Sequence, residues 1–492
     1  MLFNSFSFLI FFPIVTIVYF VLPHRFRWFW LLLASSYFYM SFVPIYILIL
    51  AFTIIVDYGA GLIIEHTENK TRKRVLLIIS LLANIGILSI FKYANFGISN
   101  INALAQIINW NYSINLLTIL LPIGLSFHTF QSLSYVIEVY RGNQKAEKNL
   151  GIFALYVMFY PQLVAGPIER PQHLLHQFRE KHDLDYEKIV SGLKLMAVGF
   201  FKKMVVADRL AEFVNPVYNN AHSYSGWPLI ITTIFFAFQI YYDFSGYSDI
   251  ARGAAKIMGF DLMVNFNNPY KSKTIAEFWK RWHISLSSWF KDYVYIPLGG
   301  SRVNKLRFSF NIMVVFLLSG LWHGANWTYI LWGGLNGLYL IIARFTENIR
   351  TKLANLLFKD DWKTMQSFMQ IGTAFILICF SWILFRAQSI SDAWYIFKNL
   401  LADKNLLTGL INPVYIKQHI MLGRGFLNFT VVIVFIFLIE WAHIYAEKKN
   451  IPIEQALENK KWYYRWSVYY FLIIAIAVFG ILTPTNFIYF QF

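Results

Sequence analysis

Ser319-Gly320-Leu321-Trp322-His323-Gly324-Ala325-Asn326-Trp327 breaks an apolar run that extends over residues 308–343. The run is longer than the roughly 20 residues that one bilayer crossing needs, so the break lies at membrane depth or at a turn between two spans. A side chain able to exchange protons must there face protein or water rather than lipid. His323 is the first candidate. The plain alternative is a buried histidine bonded to a carbonyl, the commoner case in soluble cores. Membrane depth favours the functional reading, because polar groups are costly there.

The rest of the chain has the same character. Of 492 residues, 57% are hydrophobic, 19% aromatic and only 14% charged, against about a quarter charged in soluble domains. This is the composition of a polytopic membrane protein. The formal charge is +17, but the Lys and Arg residues sit in short clusters between apolar runs. That pattern argues against nucleic acid as a partner and for cytoplasmic anchors beside a lipid bilayer. A single cysteine, Cys379, lies within an apolar stretch, so this chain alone builds no disulfide framework and no thiolate metal site. The first apolar segment, residues 6–22, has no basic residue before it and no small-x-small site after it. It is expected to stay as a span.

Basic clusters give an orientation. His24, Arg25 and Arg27 follow the first span, which puts the N-terminus outside. Residues 28–64, broken near Ser41-Phe42-Val43-Pro44, read as a hairpin of two spans, and Lys70, Arg72, Lys73 and Arg74 mark the inside again. Residues 75–93 cross outward, the uncharged 94–115 form an external loop, and 116–139 cross back. Residues 151–165 are too short for a crossing and end in Gly166-Pro167-Ile168-Glu169-Arg170-Pro171, which stops helices twice; a re-entrant element on the cytoplasmic side fits. Residues 189–210 carry Lys194, Lys202 and Lys203 and form either a tilted span with snorkelling lysines or a cytoplasmic-side helix. Residues 213–228 lie outside, 229–250 return, and the basic 271–307 are cytoplasmic. The broken pair over 308–343, then 368–385, 426–444 and 468–482, complete about eleven crossings. The expected fold is therefore all-α, one domain over 1–492, with re-entrant and interfacial helices besides the spans.

Two further constellations carry polar chemistry. In residues 277–290, helical spacing puts Trp279, Trp282, Leu286, Trp289 and Phe290 on one face and Lys280, Arg281, Ser285 and Ser288 on the other. The pattern predicts a helix lying along the membrane interface, with His283 at the edge of its apolar stripe. His283 is either a catalytic group or part of an anchor. In residues 239–249, Gln239, Asp243 and Tyr247 share a helix face near the end of a span. They orient a histidine, line a channel, or form a packing network. Pro122, Gly124, Ser126, His128 and Gln131 make another polar seam, read as interhelical glue. The histidines fall into no ligand spacing, so no metal is expected. There is no Walker loop and no Gly-x-Ser-x-Gly elbow.

Taken together, Trp279 to Trp289 (WKRWHISLSSW), Gly320 to Ala325 (GLWHGA), Tyr242 to Asp249 (YDFSGYSD), Gln162 to Pro171 (QLVAGPIERP) and Phe487 to Phe492 (FIYFQF) resemble membrane-bound O-acyltransferases. The resemblance is to the bacterial branch that holds the membrane subunits of alginate and peptidoglycan O-acetyltransferases, and it covers nearly the whole chain. It implies a ring of tilted helices around a central tunnel, with His323 at the narrow point and His283 toward the cytoplasmic mouth. It also implies acetyl-CoA as donor substrate, a polysaccharide acceptor, an SGNH-type acetyltransferase as extracytoplasmic partner, and the bacterial inner membrane as location.

In such a site a neutral imidazole takes the proton of an attacking hydroxyl as it meets the thioester carbonyl. Asn326 is a candidate to orient the acyl oxygen, and Asp243 a supporting residue. The basic residues over 271–307 attract coenzyme phosphates or simply anchor the topology. A related acyltransfer system carries its acyl group on a tyrosine near the end of a small companion peptide, which makes Tyr489 a candidate carrier; its alternative is an aromatic belt residue. Rival classes are a D-alanyl or lipid acyltransferase and a non-catalytic transporter of acyl donor or glycan. The polymer itself is not legible.

Overall fold

The computed structural model describes residues 1–357, 362–481 and 487–488, and every regular element among them is helical. Among the described residues, seven helices are long and apolar enough to cross a membrane: Pro44–His66, Lys70–Ile107, Trp227–Ile257, Lys305–His323, Lys363–Arg386, Phe426–Lys449 and Trp462–Phe479. The all-α polytopic reading stands, but about eleven crossings is more than these. Several of the apolar runs fold as shorter or interrupted helices. Phe6–Val21, for example, has 16 residues, a rise of about 24 Å against a hydrocarbon core of roughly 30 Å.

The helices gather in two compact units, Met1–Val198 with Tyr247–Met263, and Gly199–Gly246 with Val264–Phe492. In the first, His24–Met40 and Ile47–His66 form the expected hairpin, broken at Ser41 to Pro44. Its centre is Asp57, fully buried, which accepts hydrogen bonds from Ser80 Oγ at 2.5 Å, from Asn84 Nδ2 and from Ser132 Oγ. One carboxylate thereby ties three helices, Ile47–His66, Lys70–Leu88 and Leu125–Arg141. The cost of burying it is offset only because every donor is in place.

Two expectations fail in this unit. Residues 94–107, read as an external loop because they carry no charge, continue the preceding helix through a π-turn at Ser89–Tyr93. Lack of charge does not stop a helix; only proline or a competing turn does. The helix expected over 116–139 starts at Leu125 instead, after Pro122 and Gly124, whose φ is 76°. The extended chain before it is held by amides of the helix Ala94–Ile107. Asn102 pairs both ways with the Ile114 backbone (2.9 and 2.8 Å) and Asn95 with that of Leu117 (2.9 and 2.8 Å). Residues 151–165 form two short helices, Leu150–Met158 and Tyr160–Leu163, too short to cross.

The second unit is built on a helical hairpin, Lys305–His323 and Trp327–Phe345. Its arms touch backbone to backbone. A Cβ on Gly333 would lie 2.1 Å from the Phe316 carbonyl oxygen, and one on Gly320 would lie 2.2 Å from that of Tyr329. Small residues allow this approach, which van der Waals contact then rewards. Lys363–Arg386, Phe426–Lys449 and the first part of Trp227–Ile257 complete one apolar core, whose buried members include Phe236, Trp282, Trp332, Trp382 and Phe385.

The lysines of 189–210 divide. Lys202 and Lys203 sit in a π-turn, Phe201–Ala207, and do not snorkel: they are 3% and 4% exposed. Lys203 is paired internally, with Asp208 at 2.8 Å and Asp243 at 2.6 Å.

Candidate functional site

His323 is the last residue of its helix and is buried. The chain turns at Gly324 and Ala325, and Asn326 caps the next helix: its Oδ1 accepts from the Thr328 amide at 3.0 Å, and its Nδ2 donates to the Gln388 carbonyl at 3.2 Å. Both ends of the Asn326 amide serve the turn, as expected for a good N-cap residue. Behind the imidazole stands an aromatic wall. Trp332 meets it edge-on at 5.0 Å between ring centroids, Phe385 at 5.3 Å, and Trp332 in turn stacks on Trp382 at 5.8 Å. Such contacts hold a ring in one orientation without supplying it a charge.

His283 is not on the continuous interfacial helix that the pattern predicts. Two seven-residue helices, Ile275–Arg281 and Ile284–Phe290, meet at Trp282 and His283, and His283 adopts φ 43°, the left-handed region. That conformation strains a non-glycine residue and needs outside support. Asn265 provides it: its carbonyl accepts from the Ile284 amide at 2.9 Å, and its Oδ1 accepts from the Ser285 hydroxyl at 2.6 Å. Ser285, assigned by spacing to the solvent face, is therefore fully buried. Glu447 holds the flanks, receiving Asn268 at 3.0 Å, Lys271 at 2.7 Å and Arg281 at 2.9 Å. The His283 ring is buried among Phe244, at 4.6 Å, Phe266 and Trp322. Burial lowers its pKa to about 3, which keeps it neutral.

The break brings the two histidines to one place. His283 and His323 line a single cavity of about 700 Å³, together with Trp279, Trp282, Phe316 and Ser319. The same lining includes exposed Lys280, Lys291, Arg344 and Arg350, with one carboxylate, Glu347. A volume of this order holds a cofactor-sized ligand, apolar where the histidines are and cationic where solvent begins.

Asp243 does not reach either histidine. One of its oxygens pairs with Lys203, and the other accepts the Ile488 amide at 2.7 Å. It takes part in a hydrogen-bonded network, one of the readings left open for it. Tyr489 lies outside the described residues. No group of three or more metal-ligating side chains occurs among the described residues.

Sequence reasoning missed the supporting residues. Asn265, Trp332, Phe385 and Glu447 lie apart from the histidine motifs in sequence and carry no spacing that links them. Lys203 alone gave a signal, as a charge inside an apolar run.

The sequence model of the membrane-bound O-acyltransferase family matches residues 149–384. The chain is 35% identical over 433 residues to a peptidoglycan O-acetyltransferase of Helicobacter pylori, covering 82% of this chain and 80% of that protein. It is 38% identical over 409 residues to a Pseudomonas aeruginosa protein named "Probable alginate O-acetylase", covering 82% and 75%. A more distant likeness, 28% over 299 residues, is to a teichoic acid D-alanyltransferase of Streptococcus thermophilus, covering 56% and 70%.

Proposed function

Because the chain belongs to the membrane-bound O-acyltransferase family, we propose that it takes acetyl from cytoplasmic acetyl-CoA and passes it across the membrane for O-acetylation of an extracytoplasmic polysaccharide. An acyltransferase that is a multi-pass membrane protein follows from the family itself; donor, direction and acceptor are the proposal. One observation supports it above others: two buried histidines and four cationic side chains line one cavity. A coenzyme thioester has the matching polarity, with phosphates at one end and a reacting carbonyl at the other.

In this reading His323 is the general base. Its neutral imidazole accepts the proton of the incoming hydroxyl as that oxygen bonds to the thioester carbonyl carbon. The carbon–sulfur bond then breaks, and the proton passes to the leaving sulfur. His283, in the same lining, is the second polar group of the site. Lys280, Lys291, Arg344 and Arg350 attract the phosphates of the donor. Tyr489 is the proposed carrier, taking the acetyl group and yielding it to an SGNH-type partner that places it on the polymer. The relatives named for peptidoglycan and alginate suggest the polymer class.

Purified protein in proteoliposomes, given radiolabelled acetyl-CoA, tests the donor. Transfer of label supports the reading, and its absence removes it. Replacing both Arg344 and Arg350 with Glu is expected to raise KM for acetyl-CoA about tenfold with kcat near the parent value, the pattern of lost uniform binding. An unchanged KM would mean that the coenzyme does not use this end of the cavity. Tyr489→Phe is expected to stop polymer acetylation; undiminished acetylation removes the carrier step. D-alanyl transfer is the second reading, favoured by the likeness to the teichoic acid enzymes. Turnover of a D-alanyl carrier-protein thioester, with acetyl-CoA inert, would select it.

A further inference from the structure

Lys203, Asp208 and Asp243 form a buried ion cluster, each no more than 5% exposed. Lys203 reaches both carboxylates, Asp208 at 2.8 Å and Asp243 at 2.6 Å. One ammonium thus serves two buried carboxylates. Buried carboxylates are tolerated only where hydrogen-bond donors meet them. Beside the Lys203 ammonium, Asp243 meets a main-chain amide from far along the sequence, Ile488, at 2.7 Å.

That contact is part of a docked segment. Phe487 and Ile488 are 1% and 4% exposed. The Phe487 ring lies 5.4 Å from Phe244, and Phe244 lies 4.6 Å from His283. Upstream, the Ile481 amide donates to the Met204 carbonyl at 3.1 Å, inside the same π-turn that carries Lys203. Irregular helical turns of this type are frequent at functional sites. Asp243 and Phe244 are neighbours on one helix, so one residue binds the segment's backbone while the next bridges it to a cavity histidine.

We propose that the Lys203–Asp243 pair is a receptor for the Phe487–Ile488 segment, and that Asp243 is a positioning residue that fixes this segment beside His283 for acyl transfer. The inference rests on the acyltransfer reading of the cavity but not on Tyr489 as carrier.

Ile488→Pro removes the donor amide and leaves the ion cluster intact, while Ile488→Val keeps both. Asp243→Leu removes the acceptor, and Asp243→Asn keeps an oxygen in its place. Hydrogen exchange at the Ile488 amide is expected to quicken at least about tenfold in Asp243→Leu, and by less in Asp243→Asn, where a neutral oxygen still accepts but without the charge that strengthens the bond. Acetyl transfer is expected to lose about tenfold in kcat in Ile488→Pro and Asp243→Leu, with KM for acetyl-CoA unchanged, and to persist in Ile488→Val. Parent-like exchange at Ile488 in Asp243→Leu, or parent-like kcat in Ile488→Pro, would overturn the proposal. An active Tyr489→Phe beside an impaired Ile488→Pro leaves this positioning role standing and removes only the carrier. Loss of transfer in Tyr489→Phe beside a fully active Ile488→Pro does the reverse.

Discussion

Replacing His323 with alanine is expected to lower acyl transfer by roughly two to four powers of ten, the contribution of a positioned general base. The loss belongs in kcat, with KM for the donor close to the parent value, because the exposed cations of the cavity are untouched. Folding is expected to survive. His323 is the last residue of its helix, and the turn beyond it is capped by Asn326 through Thr328 and Gln388. The substitution leaves a small space in front of Trp332 and Phe385, which ring the imidazole at 5.0 and 5.3 Å. Steady-state rates on purified protein, with monodispersity checked by size exclusion, measure both parts. A variant that elutes like the parent and turns over at its rate would remove His323 from the chemistry.

Gly333→Ala is expected to be nearly as damaging through a different route. Its new Cβ would lie 2.1 Å from the Phe316 carbonyl oxygen, a backbone atom that cannot rotate away. The two arms of the central hairpin would have to separate. Overpacking of a core commonly costs about 1–3 kcal/mol, and a backbone clash between two helices belongs at or beyond the top of that range. Little folded protein is expected in detergent extracts. Gly334→Ala, one position along, is the control. Its Cβ would meet only the Leu317 side chain at 3.5 Å, an ordinary contact, so yield and thermal stability should match the parent.

What the sequence conveyed and what it withheld follow from the range of the forces involved. The membrane class and the break at 319–327 were legible because hydrophobicity and its interruption are local properties of the chain. His323 and His283 were legible as motif residues. A passage shared by the two was implied by the family resemblance, not by their spacing. The break at Trp282 and His283 contains no glycine or proline, and what sustains it is Asn265, far upstream, together with Glu447, far downstream. Spacing alone therefore returned a continuous helix. The same limit applies to residues 94–107, where missing charge suggested a loop although no proline interrupts the helix. Lys203 read as part of either a snorkelling span or a cytoplasmic-side helix because its partners, Asp208 and Asp243, meet it only in the fold.

The left-handed corner at His283 has a thermal consequence. Each flanking helix has seven residues, about half the length at which a helix persists by itself. The side chains of that corner pack into the aromatic core, but its left-handed backbone is held by a few polar bonds from Asn265 and Glu447, whereas the spans around it are continuous helices. Mild heating should thus reach the corner while the bundle is intact, as happens wherever local order is weaker than global order. Turnover is then expected to fade several degrees below the temperature at which helical circular dichroism begins to fall, and to return on cooling.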